Sequence, residues 1–503
     1  FRNVFLESRE WFTQCLAGVD PGCSNAKAFD TGEASKLVLD ANGWVKRLPA
    51  RSEAPVFTRA ATIMQVADER HNDYSGTYEV RYKGKGTLEY SGGAHLVSHR
   101  PGRDVVKVDA GGQFILVIAK TDPRNYIRGI SVVERGGAPV SAQPFSAAWL
   151  AKLQPFRTLR FMDWMRTNNI PRYEFANRPK PTDARYTSDR GVPIEVMAAV
   201  ANATGAEPWF TMPHWASDSF VRSFAQVAKA ALAPGRKVYI EYSNEVWNDA
   251  FLQGSEIDAL ADAEFAPSAD SFFTRRMDYH GKRTAEVCSV WREVLGAGRV
   301  VCVLGAQAAN TFTADEALTC PLWRDDPDNP HRGQTCQQQG IDAIAIAPYF
   351  GSYLGDPEQA PRVRSMSLDQ LFAEIASTAI PESAGWIREY DQLAHDRGLA
   401  LVAYEGGQHL VGASNDETLA QLFVAANRDP RMGQMYDAYL AQWRGAAPQG
   451  TTGLFNHFNY AERYGVFGSW GALEYVDQST SPKYASLTRY AQTPCWWAGC
   501  AVG

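Results

Sequence analysis

Seven times between residues 158 and 460, a short apolar run rich in branched side chains ends on polar or aromatic residues. The runs are TLRFMDW (158–164), EPWFTMPHW (207–215), KVYIEYSNE (237–245), RVVCVLGAQ (299–307), DAIAIAPYF (342–350), ALVAYEGGQ (400–408) and TGLFNHFNY (452–460). Helical texture lies between them, as in PIEVMAAVANATG (193–205), SFVRSFAQVAKAAL (219–232) and LAQLFVAANRDPRMGQMYDAYLAQWRG (419–445). The cores of the runs are apolar on both faces, the signature of buried parallel strands. Repeated βα units restrict the chain to an α/β fold, either a (β/α)8 TIM barrel or an open parallel sheet. The barrel is the expectation. Its eighth strand is not visible and should precede residue 158, where RNVFL near the N-terminus is a poor candidate.

The texture differs between about 53 and 136. VFTRAATIMQV, GTYEVRYKG, GTLEYSG, DVVKVDA, QFILVIAK and IRGISVVERGG are short, β-branched and punctuated by Gly, Asp and Pro. They predict an inserted or appended all-β, sandwich-like domain. The expected division is residues 1–50 as an N-terminal segment packing on the barrel, 51–140 as a β-sandwich-like accessory domain and 141–503 as the barrel.

The 503 residues carry a formal charge of -6, which argues against nucleic acid as the main partner. No apolar run reaches the ~18 residues of a membrane span. The opening FRNVFLESREWF lacks both an initiator Met and the apolar core of a signal peptide, as in a processed or trimmed chain. Cys15, Cys23, Cys288, Cys302, Cys320, Cys336, Cys495 and Cys500 fall in four close pairs. Such a set suggests disulfides and a secreted or periplasmic protein. The chain is expected to be a monomer. His95 and His99 are more readily part of a loop or strand than metal ligands. DPDNPHRGQTC, between Cys320 and Cys336, reads as a disulfide-pinned loop.

In a parallel barrel the C-terminal strand ends form the face that carries active sites. Here those ends present Arg160, Asp163, Trp164, His214, Trp215, Asn244, Glu245, Gln307, Tyr349, Glu405, His457 and Asn459. Glu245 and Glu405 stand out, closing the third and sixth visible strands. Two carboxyls across a cleft suit glycoside hydrolysis: one protonates the departing oxygen, and the other attacks the anomeric carbon or activates water. An amide beside the acid, Asn244, suits the sugar 2-hydroxyl. Trp164, Trp215, Trp247 and Trp470, beside polar residues, suit stacking on the apolar faces of sugars.

Asn-Glu ending one strand in EYSNEVWN, with a lone Glu three strands later in AYEGG, resembles glycoside hydrolase clan A over roughly residues 155–475. The resemblance implies Glu245 as acid/base, Glu405 as nucleophile and Asn244 as the 2-hydroxyl contact. It implies further that Arg160 and Tyr349 lie against the nucleophile, that His214 is a polar residue of the site, and that Trp470 floors the pocket. The expected ligand is a β-linked polysaccharide, cut by double displacement without metal or cofactor. A non-catalytic carbohydrate-binding protein on a barrel scaffold and a transglycosylase are the alternatives.

Read singly, Glu245 is equally a cap of the following helix, Arg160 equally a structural ion-pair partner, and Tyr349 more often a packed tyrosine. His214 is more often a satisfied structural histidine, and His457 and Asn459 divide evenly between cleft and core. Glu241, four residues before Glu245, falls on the same side one layer down, as a second acid of the site or a partner for Arg160.

Overall fold

The computed structural model describes residues 1–53, 56–64, 74–136, 140, 144–265, 268–497 and 500. The C-terminal end of the run VFTRAATIMQV and Gly137 lie outside them. The chain divides into two compact units, Phe1–Lys152 with Asn177–Val196, and Leu153–Ala176 with Met197–Gly503.

The first unit is a sandwich. Its strands are β1 (Phe12–Gln14), β2 (Val38–Leu39), β3 (Val45–Arg47), β4 (Arg59–Met64), β5 (Gly76–Lys83), β6 (Gly86–Ser91), β7 (Ala94–Arg100), β8 (Arg103–Val108), β9 (Phe114–Thr121) and β10 (Arg128–Glu134). Two antiparallel sheets of four strands, β1-β4-β9-β6 and β10-β5-β8-β7, enclose one core. Val80, Val106 and Val132 from one sheet meet Ala60, Leu116 and Ile118 from the other. Phe5, Trp11 and Trp44 belong to the same core, and Phe5 stacks on Trp44 at 5.6 Å. Residues of the first fifty belong to this unit, where β1 pairs with β4 and completes a sandwich sheet. Asn177–Val196 joins them, with the Trp44 indole donating to the Thr182 carbonyl at 3.4 Å.

The second unit holds seven parallel strands in sequence order: β11 (Thr158–Arg160), β12 (Glu207–Met212), β13 (Val238–Tyr242), β14 (Val300–Gly305), β15 (Ala343–Ile346), β16 (Ala400–Ala403) and β17 (Thr452–Phe455). All seven coincide with the expected runs, and helices connect them. This is the βα order of a TIM-barrel sheet with one strand fewer. Among the described residues no eighth parallel strand joins it. Alternation along the strands sends Trp209, Tyr239, Val303, Ala345, Val402 and Leu454 into one interior cluster. Ile240 and Tyr242 project the other way; Tyr242 approaches His280 of the long helix Phe272–Leu295 at 6.0 Å.

Apart from β11, which includes Arg160, each strand stops before the polar end of its run. The sequence pattern marked strand plus turn, and the turns carry the chemistry. Cys288–Cys302 ties the long helix to β14, and Cys15–Cys23, Cys320–Cys336 and Cys495–Cys500 close local loops. A loop of this size closed by a disulfide stabilises a fold by roughly 3 kcal/mol. No helix among the described residues is long and apolar enough to cross a membrane.

Candidate active site

The site is built over the interior ends of β11, β13 and β16. Arg160, the last residue of β11, has a buried side chain that serves three residues. Its Nε and Nη2 donate to the two Glu241 oxygens at 2.9 and 3.0 Å, Nη1 donates to Glu405 Oε1 at 2.6 Å, and Nη2 also donates to Asn244 Oδ1 at 2.8 Å. The Tyr404 ring lies 4.9 Å from the guanidinium carbon. Glu241 receives a further bond from the Trp209 indole at 2.7 Å. Glu241 is therefore the ion-pair partner of Arg160, one layer below the strand ends.

Glu405 accepts at its second oxygen from the Tyr349 hydroxyl, 2.8 Å away. Glu245 accepts from the Tyr404 hydroxyl at 3.1 Å and from Asn248 Nδ2 at 2.9 Å. Burial raises Glu405 above the ordinary carboxylate range, with Arg160 and Tyr349 opposing and the Glu245 charge adding to the rise. Burial raises Glu241 as well, against the pull of Arg160 and Trp209. Two buried carboxyls thus share one guanidinium. Full ionisation of that pair leaves excess negative charge away from solvent, which favours the neutral form of one of them.

Adjacent strand residues point to opposite faces, yet Asn244 and Glu245 both serve the interior. The backbone shows how. Ser243 and Glu245 adopt left-handed conformations at φ 62° and 42°. Each costs a non-glycine residue roughly 1–2 kcal/mol. Strand alternation breaks there, and amide and acid come to one side. Two residues that the motif did not single out support this turn. Asn168 Oδ1 accepts from Asn244 Nδ2 at 2.9 Å and from Gln253 Nε2 at 2.7 Å. Gln253 Nε2 also donates to the Asn244 carbonyl at 2.9 Å, and its own oxygen accepts from the Asn169 amide at 3.1 Å.

The expected residues divide into three groups. Arg160, Asn244, Tyr349 and Glu405 form the hydrogen-bonded set above, and Glu245 stands beside it through the Tyr404 hydroxyl, whose ring lies against Arg160. Around it, Trp247 is half-buried with its ring 6.2 Å from Tyr404. Trp470 is half-buried, 5.7 Å from the Tyr349 ring and 4.6 Å from His409. Asp163 is exposed, and the protein packed around it raises its carboxyl while Arg160 and Arg166 oppose.

The third group does not join the set. The His214 side chain is fully buried and its Nε2 donates to Glu256 at 2.6 Å. Trp215 is buried against Tyr173 and Phe220, at 5.0 and 5.1 Å, and its indole donates to the Ile170 carbonyl. β12 ends at Met212, so both lie on a chain already turning toward the helix Asp218–Ala231. Trp164 packs on Phe161 at 5.7 Å. His457 Nε2 lies 3.0 Å from the Tyr436 hydroxyl on the helix Pro430–Gly445, and burial pushes its pKa down to about 3. Asn459 donates to Glu462 at 3.1 Å. Gln307 is fastened by its backbone, which accepts from Tyr390 at 2.8 Å and donates to Thr313 at 3.0 Å. His95 and His99 fall on opposite faces of β7 across a bulge and bond to Asp109 and Asp104 respectively, so they do not form a shared metal site.

No protein-family model matches the sequence. No curated protein matches it either. Solved structures similar in part include an endo-β-1,4-mannanase of glycoside hydrolase family 26 from Cellulomonas fimi, at 12% identity and TM-score 0.34, covering 67% of this chain and 63% of that one. A 4-O-α-L-rhamnosyl-β-D-glucuronidase from Fusarium oxysporum aligns at 12% identity and TM-score 0.41, covering 69% of this chain and 64% of that one. A β-glucosidase from Thermotoga maritima aligns at 13% identity and TM-score 0.39, covering 69% of this chain and 85% of that one. The aligned part thus spans less than two thirds of the mannanase's length, and the three neighbours are glycoside hydrolases.

Proposed function

We propose that the protein is a retaining glycoside hydrolase that cleaves a β-linked polysaccharide of the glucan, xylan, mannan or bacterial exopolysaccharide type. The observation that carries this reading is the unequal hold on two strand-end carboxyls, Glu245 being held by the residue next to Glu405. Glu405 rests on a guanidinium and a phenol. That grip restricts its rotation and opposes the burial that raises its pKa. Glu245 meets two neutral donors, Tyr404 and Asn248, an arrangement open to a group that gives and takes a proton.

In the proposed cycle Glu245 protonates the leaving oxygen while Glu405 attacks the anomeric carbon. The product leaves and a glycosyl-Glu405 ester remains. Glu245 then removes a proton from water, which opens the ester with a second inversion, so the configuration is retained. Asn244 commits one amide hydrogen to Asn168 and keeps the other for the sugar 2-hydroxyl. Trp470 and Trp247 offer rings for neighbouring sugars. Four disulfides fit an extracellular or periplasmic protein.

The test is a panel of glucan, xylan, mannan and bacterial exopolysaccharides, with proton NMR of the first-formed sugar anomer. The β-anomer appearing first supports retention, and the α-anomer contradicts it. Binding without turnover identifies a non-catalytic carbohydrate-binding protein. Products longer than the substrate at high acceptor concentration identify a transglycosylase.

A further inference from the structure

The sandwich unit carries a row of like charges. Arg81 of β5 lies directly opposite Arg103 of β8, and Arg103 lies directly opposite Arg100 of β7. Opposed residues share a face, and neighbouring strands are roughly 4.8 Å apart. Three guanidinium groups therefore stand side by side on the outward face, away from the core residues Tyr78, Val80 and Tyr82. Like charges placed so destabilise a sheet. Among the described residues one carboxylate answers them: Glu79 bonds to Arg81 and accepts from Arg103 Nε at 2.6 Å. Arg100 has no partner among the described residues, and Lys107, two rows along, is exposed on the same face.

The row is held in place. Pro101-Gly102 joins Arg100 to Arg103 in a tight turn, with Gly102 at φ 76° as such a turn requires. The Gly102 carbonyl accepts from the Tyr82 amide at 3.0 Å, which fastens the turn beside Arg81. The side chains remain available, Arg81 being 69% and Arg103 40% exposed. The whole chain has a net charge of -6, so this positive face runs against the overall balance.

We propose that this arginine row binds an acidic polysaccharide whose sugars carry carboxylate or sulfate groups. Guanidinium groups engage planar oxyanions through paired hydrogen bonds. A neutral glycan would instead need rings to stack on, and the tyrosines of β5 point into the core. The choice of a polysaccharide among polyanions rests on the glycosidase reading above.

The experiment is native affinity electrophoresis of the full chain in gels containing polygalacturonate, dextran sulfate or hydroxyethylcellulose, with wild type and the triple variant R81Q/R100Q/R103Q. Acidic polymer is expected to retard the wild type and neutral polymer not to. Retardation should vanish near 1 M salt, where the Debye length is about 3 Å. The triple variant should bind at least about tenfold more weakly, with thermal stability not lowered and turnover of a small chromogenic β-glycoside unchanged. Equal retardation of wild type and variant, or none by either acidic polymer, overturns the proposal. So does stronger competition by duplex DNA or phosphatidylserine vesicles than by acidic polysaccharide. Binding is read without turnover, so arginine-dependent retention in a protein that hydrolyses nothing would sink only the glycosidase reading.

Discussion

The Tyr404 hydroxyl donates to Glu245 at 3.1 Å, so the residue immediately before one acid of the site holds the other. β16 ends at Ala403, and beyond it the chain no longer alternates between faces. Tyr404 and Glu405 can then both serve the interior, as Asn244 and Glu245 do after β13. Both acids are presented by a strand that breaks its own pattern.

That arrangement assigns the two acids different losses. With Glu405 as the proposed nucleophile, Glu405→Gln is expected to lower kcat/KM by roughly 10⁴-fold or more on every substrate. Glu245→Gln is expected to cost about 10²–10⁴-fold on substrates whose leaving group needs a proton. It should cost far less on an activated dinitrophenyl glycoside. Steady-state kinetics on a leaving-group series checks both. Equal losses across the series for Glu245→Gln would contradict its role as acid.

Arg160 is the shared cation of Glu241 and Glu405, and all three are buried. Its replacement by Met strands two carboxyls, and removing one member of a buried ion pair costs about 3–5 kcal/mol. Denaturant unfolding at neutral pH should show that loss. Lys at this position should not restore it. One ammonium cannot reproduce the fork that meets Glu241, Glu405 and Asn244 together.

The same burial makes stability and activity depend on pH in a defined direction. Glu405 is raised from 4.5 to about 7, chiefly by desolvation. Below pH 4.5 the carboxyl is protonated in both folded and unfolded chains and contributes no pH dependence. Between 4.5 and 7 the unfolded chain loses its proton while the folded one keeps it, so this group makes stability fall as pH rises. Above 7 the contribution is level. Wild type should therefore lose stability relative to Glu405→Gln across that window in urea titrations. Tyr349→Phe removes a bond that lowers the Glu405 pKa. The acidic limb of its kcat/KM profile should move to higher pH, a limb that belongs to the coupled acids rather than to one residue.

The sequence disclosed the strand ends because burial forces parallel strands to be apolar, which leaves polar termini conspicuous. Arg160, Glu245, Tyr349 and Glu405 were legible on that account. His214 and Trp215 fit the same pattern but lie past the end of β12, where the chain has turned and buried them. Asn168 and Gln253 carried no comparable signal. Asn168 sits in the irregular stretch RTNNIP, and Gln253 is the second residue of the helix Leu252–Phe265. Their importance arises from tertiary placement. The sandwich strands were legible from their β-branched texture, whereas β1 has three residues and is a strand only by pairing with β4.

Gln253 gives the most discriminating test of how the acid is held. It is fully buried, and its amide grips the carbonyl between Asn244 and Glu245 while also holding Asn168. The turn it grips is strained at Ser243 and Glu245. Gln253→Leu leaves Asn168 and the Asn244 carbonyl short of a donor, at a cost of about 1–3 kcal/mol. The strained turn is then free to relax, and Glu245 drifts from the leaving oxygen. Poor leaving groups should lose about tenfold or more in kcat, with activated glycosides little changed. Gln253→Glu keeps the volume, and its carboxyl can accept from the Asn169 amide but loses the donor, so it should behave like Leu. A uniform loss across all leaving groups, tracking only the fall in stability, would show that Gln253 supports the fold without positioning the acid.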